Sequence, residues 1–114
     1  MDSCIFCKII SGEIPSTKVY EDEYAYAFKD LNPQAPVHVL VVPKRHVKNL
    51  TEASKLSDNE SAGFLRAVEN TARLLGLDEG GYRVIMNAGE NGAQTVMHLH
   101  AHILGGAKLS EKMA

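Results

Sequence analysis

The chain has 114 residues, and this length predicts a single domain spanning residues 1–114. Hydrophobic residues make up 45% and charged residues 23% of the composition, a balance typical of globular proteins and not of disordered ones. The formal net charge of −2 argues against a general nucleic-acid binder, which usually carries a basic surface. No apolar run approaches the roughly 20 residues of a membrane helix, so we expect neither nucleic acid nor membrane as a partner.

Hydrophobic spacing predicts two helices. The first is short and covers residues 5–10, with Gly12 suited to end it. The second is longer and follows a capping box, in which Ser57 caps the helix and Glu60 lies three residues further on. Its apolar residues keep helical spacing as far as Gly76.

Four segments have the alternation or β-branched composition of strands. Residues 19–28 form a strand or a hairpin, and further strands are predicted over residues 37–42, 82–87 and 95–104. Short loops join adjacent strands in this order of elements. The pattern favours an α+β fold with a mostly antiparallel sheet.

The last predicted strand carries three of the five histidines, His98, His100 and His102. In a strand this spacing places the imidazoles on one face, with neighbours about 7 Å apart. The opposite face, which we expect to pack in the core, carries Met97, Leu99, Ala101 and Ile103. Two chemistries fit the triplet: a three-histidine metal site, or metal-free catalysis in which one imidazole attacks phosphorus and its neighbours hold the phosphate. A solvent-exposed face that happens to carry histidine is the alternative without a function.

The loop before the histidines, residues 87–95, contains glycine together with asparagine, glutamine and threonine. Glycine permits close approach of the backbone, and such a loop can bind an anion through a nest of N–H groups. By itself the segment also fits an ordinary glycine-rich hairpin loop. Beside three histidines, the phosphate-binding interpretation is favoured.

Cys4 and Cys7 are the two cysteines of the chain. A secreted disulfide scaffold of this size would usually carry four or more, so we expect a reducing cytoplasm. The spacing alone leaves free thiols, a redox pair and half of a metal site open.

These segments together carry a family resemblance. Residues 87–106 resemble the signature region of the histidine triad superfamily, whose strand alternates three histidines with apolar residues, and residues 4–14, 27–38 and 42–46 resemble its Hint branch. The resemblance implies a five-stranded antiparallel sheet with one long and one short helix, joined to a second copy in a homodimer. It also implies a purine nucleoside phosphoramidase, which cleaves a P–N bond through a nucleotidyl-histidine intermediate. The alternatives are a dinucleoside polyphosphate hydrolase and a non-catalytic purine-nucleotide-binding zinc protein.

The resemblance also implies roles for individual residues. By position, His100 is the nucleophile, and the carbonyl of His98 orients its ring. Asp30 accepts from the ribose hydroxyls, although an aspartate there also fits a loop cap. The phosphate oxygens are held by His102, Asn87, Gln94 and Thr95. The purine of an AMP-type or GMP-type substrate lies in a slot walled by Ile5, Phe6, Ile9, Phe28, Leu31 and His38. For the apolar members of this set, plain core packing is the alternative.

A structural zinc is implied in the same way. Some members of the superfamily hold zinc through a cysteine pair, a later histidine and the first histidine of the triad. The matching residues here are Cys4, Cys7, His46 and His98, which make a closed tetrahedral set. Two reduced thiols packed as small apolar groups are the alternative. In the animal Hint proteins a tail containing tryptophan lies beside the leaving group, whereas residues 108–114 contain no tryptophan, so leaving-group preference is not implied.

Overall fold

A computed structural model describes residues 3–112 and shows an α+β fold with one five-stranded antiparallel sheet. The strands are β1 Lys18–Glu21, β2 Ala25–Lys29, β3 Val37–Pro43, β4 Arg83–Ile85 and β5 Ala101–Gly105. They are arranged in the order β1-β2-β3-β5-β4. The helices are α1 Ile5–Ser11, α2 Asp58–Leu74 and a 3-10 helix, Leu50–Lys55. The predicted fold class is confirmed. Within residues 3–112 no helix has the length and apolarity to cross a membrane.

Both predicted helices are present, with the expected caps. The Sγ atom of Cys4 accepts a hydrogen bond from the backbone N–H of Cys7 at the start of α1, and Gly12 follows the helix with φ 85°. At the start of α2, the side chains of Ser57 and Glu60 bond reciprocally to each other's backbone N–H. These bonds satisfy donors that the first helical turn would otherwise leave without a partner.

The two faces of the sheet pack against different helices. Alternating residues of the central strands, such as Val39, Val41 and Ile103, pack against apolar residues of α2. The opposite face, including Phe28 and Leu40, packs against Phe6 and other apolar residues of α1. Because α1 has only seven residues, it covers only the β2–β3 part of this face. Side chains of β4 and β5 on the same face remain available for a site.

A buried glycine brings α2 close to the sheet. A Cβ atom at Gly63 would lie 2.3 Å from the ring of Tyr24, just before β2. Glycine inside a helix costs about 1 kcal/mol relative to alanine. The close approach of Tyr24 explains why the helix has glycine here.

The last strand is shorter than predicted, because β5 begins at Ala101 and not at residue 95. Pairing between β3 and β5 ends at Val41 and Ala101. Before that point the backbone N–H of Leu99 donates to the carbonyl of Val47, outside the sheet. His98 and His100 therefore precede the strand. Met97 is 43% exposed, so its predicted place on the core face is wrong, whereas Leu99 and the two β5 residues are buried as predicted.

Candidate active site

His98 is fully buried where the chain approaches β5, and a backbone carbonyl determines its tautomer. Its Nε2 atom lies 2.8 Å from the carbonyl oxygen of Pro43, the last residue of β3. A carbonyl oxygen only accepts, so Nε2 carries the proton and Nδ1 has a free lone pair. Burial lowers the pKa of His98 to about 4, which keeps the ring neutral at neutral pH.

His100 has the opposite tautomer. Its Nδ1 atom donates to the carbonyl oxygen of His98 at 2.7 Å, as the resemblance implied. In the neutral ring Nε2 is then free of a proton and can act as a nucleophile. The ring is only 5% exposed and meets the ring of Phe6 edge-on, with centroids 5.1 Å apart. These contacts leave the imidazole little freedom to rotate.

A chain of hydrogen bonds determines the tautomer of His102. The backbone N–H of Gln34 donates to Nδ1 of His38 at 3.0 Å, so the proton of a neutral His38 ring is on Nε2. That Nε2 atom lies 2.9 Å from Nδ1 of His102 and 3.4 Å from a carboxylate oxygen of Asp30. His102 accepts at Nδ1 and therefore keeps its own proton on Nε2. Burial, followed by the charges of His100 and His38, lowers the pKa of His102 to about 4.

The three histidines do not converge on one point. Among the residues that the structure describes, His98 groups with Cys4, Cys7 and His46, whereas His102 groups with Asp30 and His38. The tautomer of His38 argues against a metal in the second group, because its Nε2 atom already carries a proton. The hypothesis of a three-histidine metal site is therefore wrong for this geometry.

The first group has the arrangement that a tetrahedral metal requires. The sulfur-to-nitrogen distances are 3.3 Å from Cys4 to His98, 3.4 Å from Cys7 to His46 and 3.6 Å from Cys7 to His98, and the two Nδ1 atoms are 3.1 Å apart. Bond lengths to zinc place tetrahedral sulfur and nitrogen ligands about 3.3–3.7 Å apart. Burial raises the pKa of the Cys7 thiol to about 11, so it keeps its proton unless a cation replaces it. The donor set fits zinc, and the three sulfur-to-nitrogen distances lie in the range for zinc ligands, whereas the two Nδ1 atoms are slightly closer together than two zinc-bound nitrogens.

Gln94 has a different role from the one expected. Its amide nitrogen donates to the carbonyls of Lys48 and Val96, and its oxygen accepts from Asn49 and from the N–H of Gly89. Both donor hydrogens are used, so none remains for a phosphate. The expected phosphate contact from Gln94 is therefore corrected: the side chain holds the loop.

The loop also uses several of its own N–H groups. The N–H of Ala93 donates to Glu90 and that of Gln94 donates to Gly89. Two expected phosphate ligands remain exposed or half-buried. Asn87 follows β4 and lines a cavity with His102, whereas Thr95 lies at a different opening, beside Cys4. The nest of backbone donors is thus smaller than the glycine content predicts.

The apolar residues expected around the purine do not form one open slot. Phe6, Ile9 and Phe28 are at most 8% exposed and belong to the apolar cluster between α1 and the sheet. Their role is therefore core packing, which was the alternative to contact with the purine. Leu31 is 99% exposed and Ile5 is 45% exposed. The physical reason is the tight packing of α1 onto β2 and β3. Only His38 of the expected slot lines the cavity beside His102.

Asp30 forms the loop cap that its sequence position allowed, and it also lies beside His38. One carboxylate oxygen accepts from the backbone N–H of Asn32 at 2.8 Å, which is the loop cap. The other lies near His38, as described above. Asp30 therefore lies at the site, but the loop cap already occupies one of its two carboxylate oxygens.

Sequence reasoning missed several residues that build the site. Asn49 donates a side-chain hydrogen bond to Gln94, and the backbone N–H of Gln34 donates to His38. Arg83 lines the cavity beside His102. The alternation of β4, which puts Arg83, Ile85 and Asn87 on one face, was the available signal.

Histidine NMR tests the three tautomers. At pH 7 we expect protons on Nε2 of His98 and His102 and on Nδ1 of His100. Lowering the pH to 5 should leave His102 neutral, because its pKa is about 4. The unfolded chain protonates near pH 6.5, so the free energy of unfolding should fall as the pH is lowered from 6.5 towards 4.

His38→Asn is the comparison variant, because it removes the donor to Nδ1 of His102. We expect His102 to become a mixture of tautomers while His100 is unchanged. A proton on Nε2 of His100 in the unaltered protein would contradict the assignment.

Comparison with known proteins identifies the family of this chain. Residues 11–109 match the family model described as the HIT domain. A 14 kDa zinc-binding protein from Zea mays is 49% identical over 110 residues, which cover 93% of this chain and 84% of that protein.

Two solved structures are similar along nearly the whole chain. A HIT family hydrolase from Legionella pneumophila is 41% identical, with a TM-score of 0.86 and coverage of 96% of this chain and 97% of that one. A histidine triad nucleotide-binding protein from Candida albicans is 37% identical, with a TM-score of 0.81 and coverage of 98% and 87%. On the family model, the sequence identity and the shared fold, this chain belongs to the HIT family.

Proposed function

We propose that the protein is a hydrolase that cleaves the P–N bond of purine nucleoside 5′-phosphoramidates through a histidine nucleophile. The observation that carries the proposal is the bond from Nδ1 of His100 to the carbonyl of His98, which leaves Nε2 free to attack. The Nε2–H of the adjacent His102 is a hydrogen-bond donor for the phosphoryl group. The similar proteins described as a hydrolase and as nucleotide-binding support this class.

The reaction has two displacements at phosphorus. The lone pair on Nε2 of His100 forms a bond to phosphorus as the P–N bond of the substrate breaks. The substrate nitrogen takes the bonding pair and a proton from solvent, and departs as the amine. Water then attacks phosphorus and gives up a proton to solvent as the bond to Nε2 breaks, and the nucleoside monophosphate is released with the ring restored.

Neutral donors hold the phosphate in this proposal. His102 donates through Nε2–H, and the amide of Asn87 faces the same cavity. Thr95 contributes only if the substrate reaches the opening beside Cys4. Asp30 accepts from the ribose near His38, and the exposed Leu31 covers one face of the purine.

Replacing the nucleophile tests the mechanism. We expect His100→Ala to abolish turnover of adenosine 5′-phosphoramidate, because no lone pair remains to attack phosphorus. Binding of AMP should stay within about tenfold, since a nucleophile and not a pocket wall is lost. Steady-state hydrolysis and calorimetric titration measure the two quantities.

Leu65→Ala is the matched control, because Leu65 is 70% exposed on α2, which packs on the other face of the sheet. It should leave both quantities near those of the unaltered protein. Equal losses of binding and turnover in His100→Ala would argue against covalent catalysis. Faster cleavage of diadenosine tetraphosphate than of the phosphoramidate would instead favour a dinucleoside polyphosphate hydrolase.

We further propose that Cys4, Cys7, His46 and His98 hold a structural zinc ion. Their four ligand atoms would complete a tetrahedron and leave no position for a catalytic water. Bound there, the ion would supply a cross-link between α1 and the chain around β3 and His98. Two reduced thiols at one site suit a reducing compartment such as the cytoplasm. The name of the Zea mays relative supports this assignment.

Removing one thiol separates a structural metal from a catalytic one. We expect Cys7→Ser to lower bound zinc from one ion per chain to well below one, and to lower Tm by more than about 5 °C, because the cross-link is lost. The kcat per folded molecule should fall less. Elemental analysis, thermal unfolding and kinetics provide the readouts.

Ser11→Ala is the control on the same helix, since Ser11 is exposed and bonds only to Lys8 within the described residues. It should retain zinc and Tm. A variant Cys7→Ser that keeps Tm but loses kcat would place the metal in the chemistry.

We also propose that two chains join along β4 to form a ten-stranded sheet. Within residues 3–112, β4 pairs with β5 on one side only and forms one edge of the sheet, while β1 forms the other. Tyr82, Val84 and Met86 at the β4 edge are 39–40% exposed. An uncovered apolar edge strand readily pairs with another strand. A homodimer would cover it.

A charge at the edge should prevent this pairing. We expect Val84→Asp to have the 12.4 kDa mass of one chain in light scattering, whereas the unaltered protein has twice that mass. The control is Leu50→Asp, because Leu50 is 52% exposed on the 3-10 helix and far from β4 in sequence. Equal masses for Val84→Asp and the unaltered protein would refute pairing along β4.

A further inference from the structure

A cavity of about 370 Å³ lies beside His102, on the same face of the sheet as the candidate nucleophile. Arg83 and Leu104 line it on neighbouring strands, and Leu109 and Ser110 of the C-terminal segment border it. This volume is in the range of small-molecule sites. Phe6, Ile9, Phe28 and Leu31, which were expected to contact the purine, do not line this cavity.

Strand register shows in which direction the cavity extends from the reacting atoms. Ile85 is paired with His102, and Arg83 is paired with Leu104. Side chains two residues apart on a strand are about 7 Å apart. Arg83 is therefore one step beyond His102, in the direction away from His100. A displacement at phosphorus sends the leaving group away from the attacking Nε2 atom.

The charge of this cavity comes from one group. Arg83 is the only Lys, Arg, Asp or Glu among its lining residues. Within residues 3–112, Arg83 has no carboxylate in salt-bridge range, and one of its nitrogens donates to the carbonyl of Ser110. A guanidinium has five N–H donors, so several remain for a ligand. Its planar fork matches a carboxylate.

We propose that this cavity receives the leaving amine and that Arg83 selects amines that carry a carboxylate. The inference rests on the proposed function. A carboxylate separated from the reacting nitrogen by a short aliphatic spacer would reach the guanidinium, while Ile85, Leu104 and Leu109 would contact the spacer. Arg83 is then a specificity determinant for the second half of the substrate, and it takes no part in bond cleavage.

The test compares two adenosine 5′-phosphoramidates of nearly equal shape. One has 4-aminobutyrate as the leaving amine, and the other has 4-aminobutyramide, which lacks the charge. We expect the unaltered protein to have a kcat/KM about tenfold higher for the carboxylate, because a charge-assisted hydrogen bond to Arg83 is added. In Arg83→Gln the ratio should fall to about one. Arg83→Lys should give an intermediate ratio, since it retains the charge and loses the fork.

Arg66→Gln is the matched control, because it removes one positive charge from the exposed side of α2, which packs on the opposite face of the sheet. Its ratio should equal that of the unaltered protein. The proposal would be overturned if the unaltered protein showed no preference, or if Arg66→Gln and Arg83→Gln lost the preference equally. The proposed function would stand in either case, provided that turnover still required His100. If neither substrate is cleaved, or cleavage survives His100→Ala, the proposed function fails and this inference fails with it.

Discussion

The buried imidazole of His98 is the interaction on which the rest of the site depends. Its Nε2 atom is bonded to the end of β3, its Nδ1 atom faces two thiols and His46, and its carbonyl accepts from His100. One residue therefore connects the central strand, the N-terminal helix and the candidate nucleophile. Because the ring is completely buried, a change at any of these partners displaces a group that has no solvent to replace the lost contact.

Backbone groups determine which ring nitrogen carries the proton in His98, His100 and His38. The carbonyls of Pro43 and His98 and the N–H of Gln34 assign the protons on His98, His100 and His38, and the proton on His102 follows from these. In their neutral forms, the neighbouring imidazoles of His100 and His102 thus present a lone pair and an N–H. Two neutral groups can bind a phosphate through oriented dipoles. A chain with net charge −2 therefore needs no basic patch to bind one.

The side chain of Gln94 ties the loop before the histidines to neighbouring segments of the chain. Gln94 uses its full set of hydrogen bonds on Lys48, Val96, Asn49 and Gly89. Within the described part of the chain no buried side-chain nitrogen or oxygen lacks a partner. Such a loop keeps Asn87 and the chain entering β5 in one arrangement, so the site is organised before a ligand binds.

The sequence by itself determined both α-helices and the approximate positions of the strands, since these follow from local periodicity and capping residues. The grouping of Cys4, Cys7, His46 and His98 followed from the family motif. The sequence also predicted a strand through His98 and His100 and a phosphate contact from Gln94, and both expectations failed. Each outcome depends on residues distant in the chain. Pro43 and Val47 bind the segment before β5 outside the sheet, and Asn49 and Lys48 take up hydrogen-bonding groups of the Gln94 side chain. Only the tertiary structure decided which nitrogen of each histidine carries the proton, and it placed Arg83 beside His102. The long-range hydrogen bonds of the site join residues 45 to 64 positions apart, so local spacing does not encode them and folding has to bring the partners together.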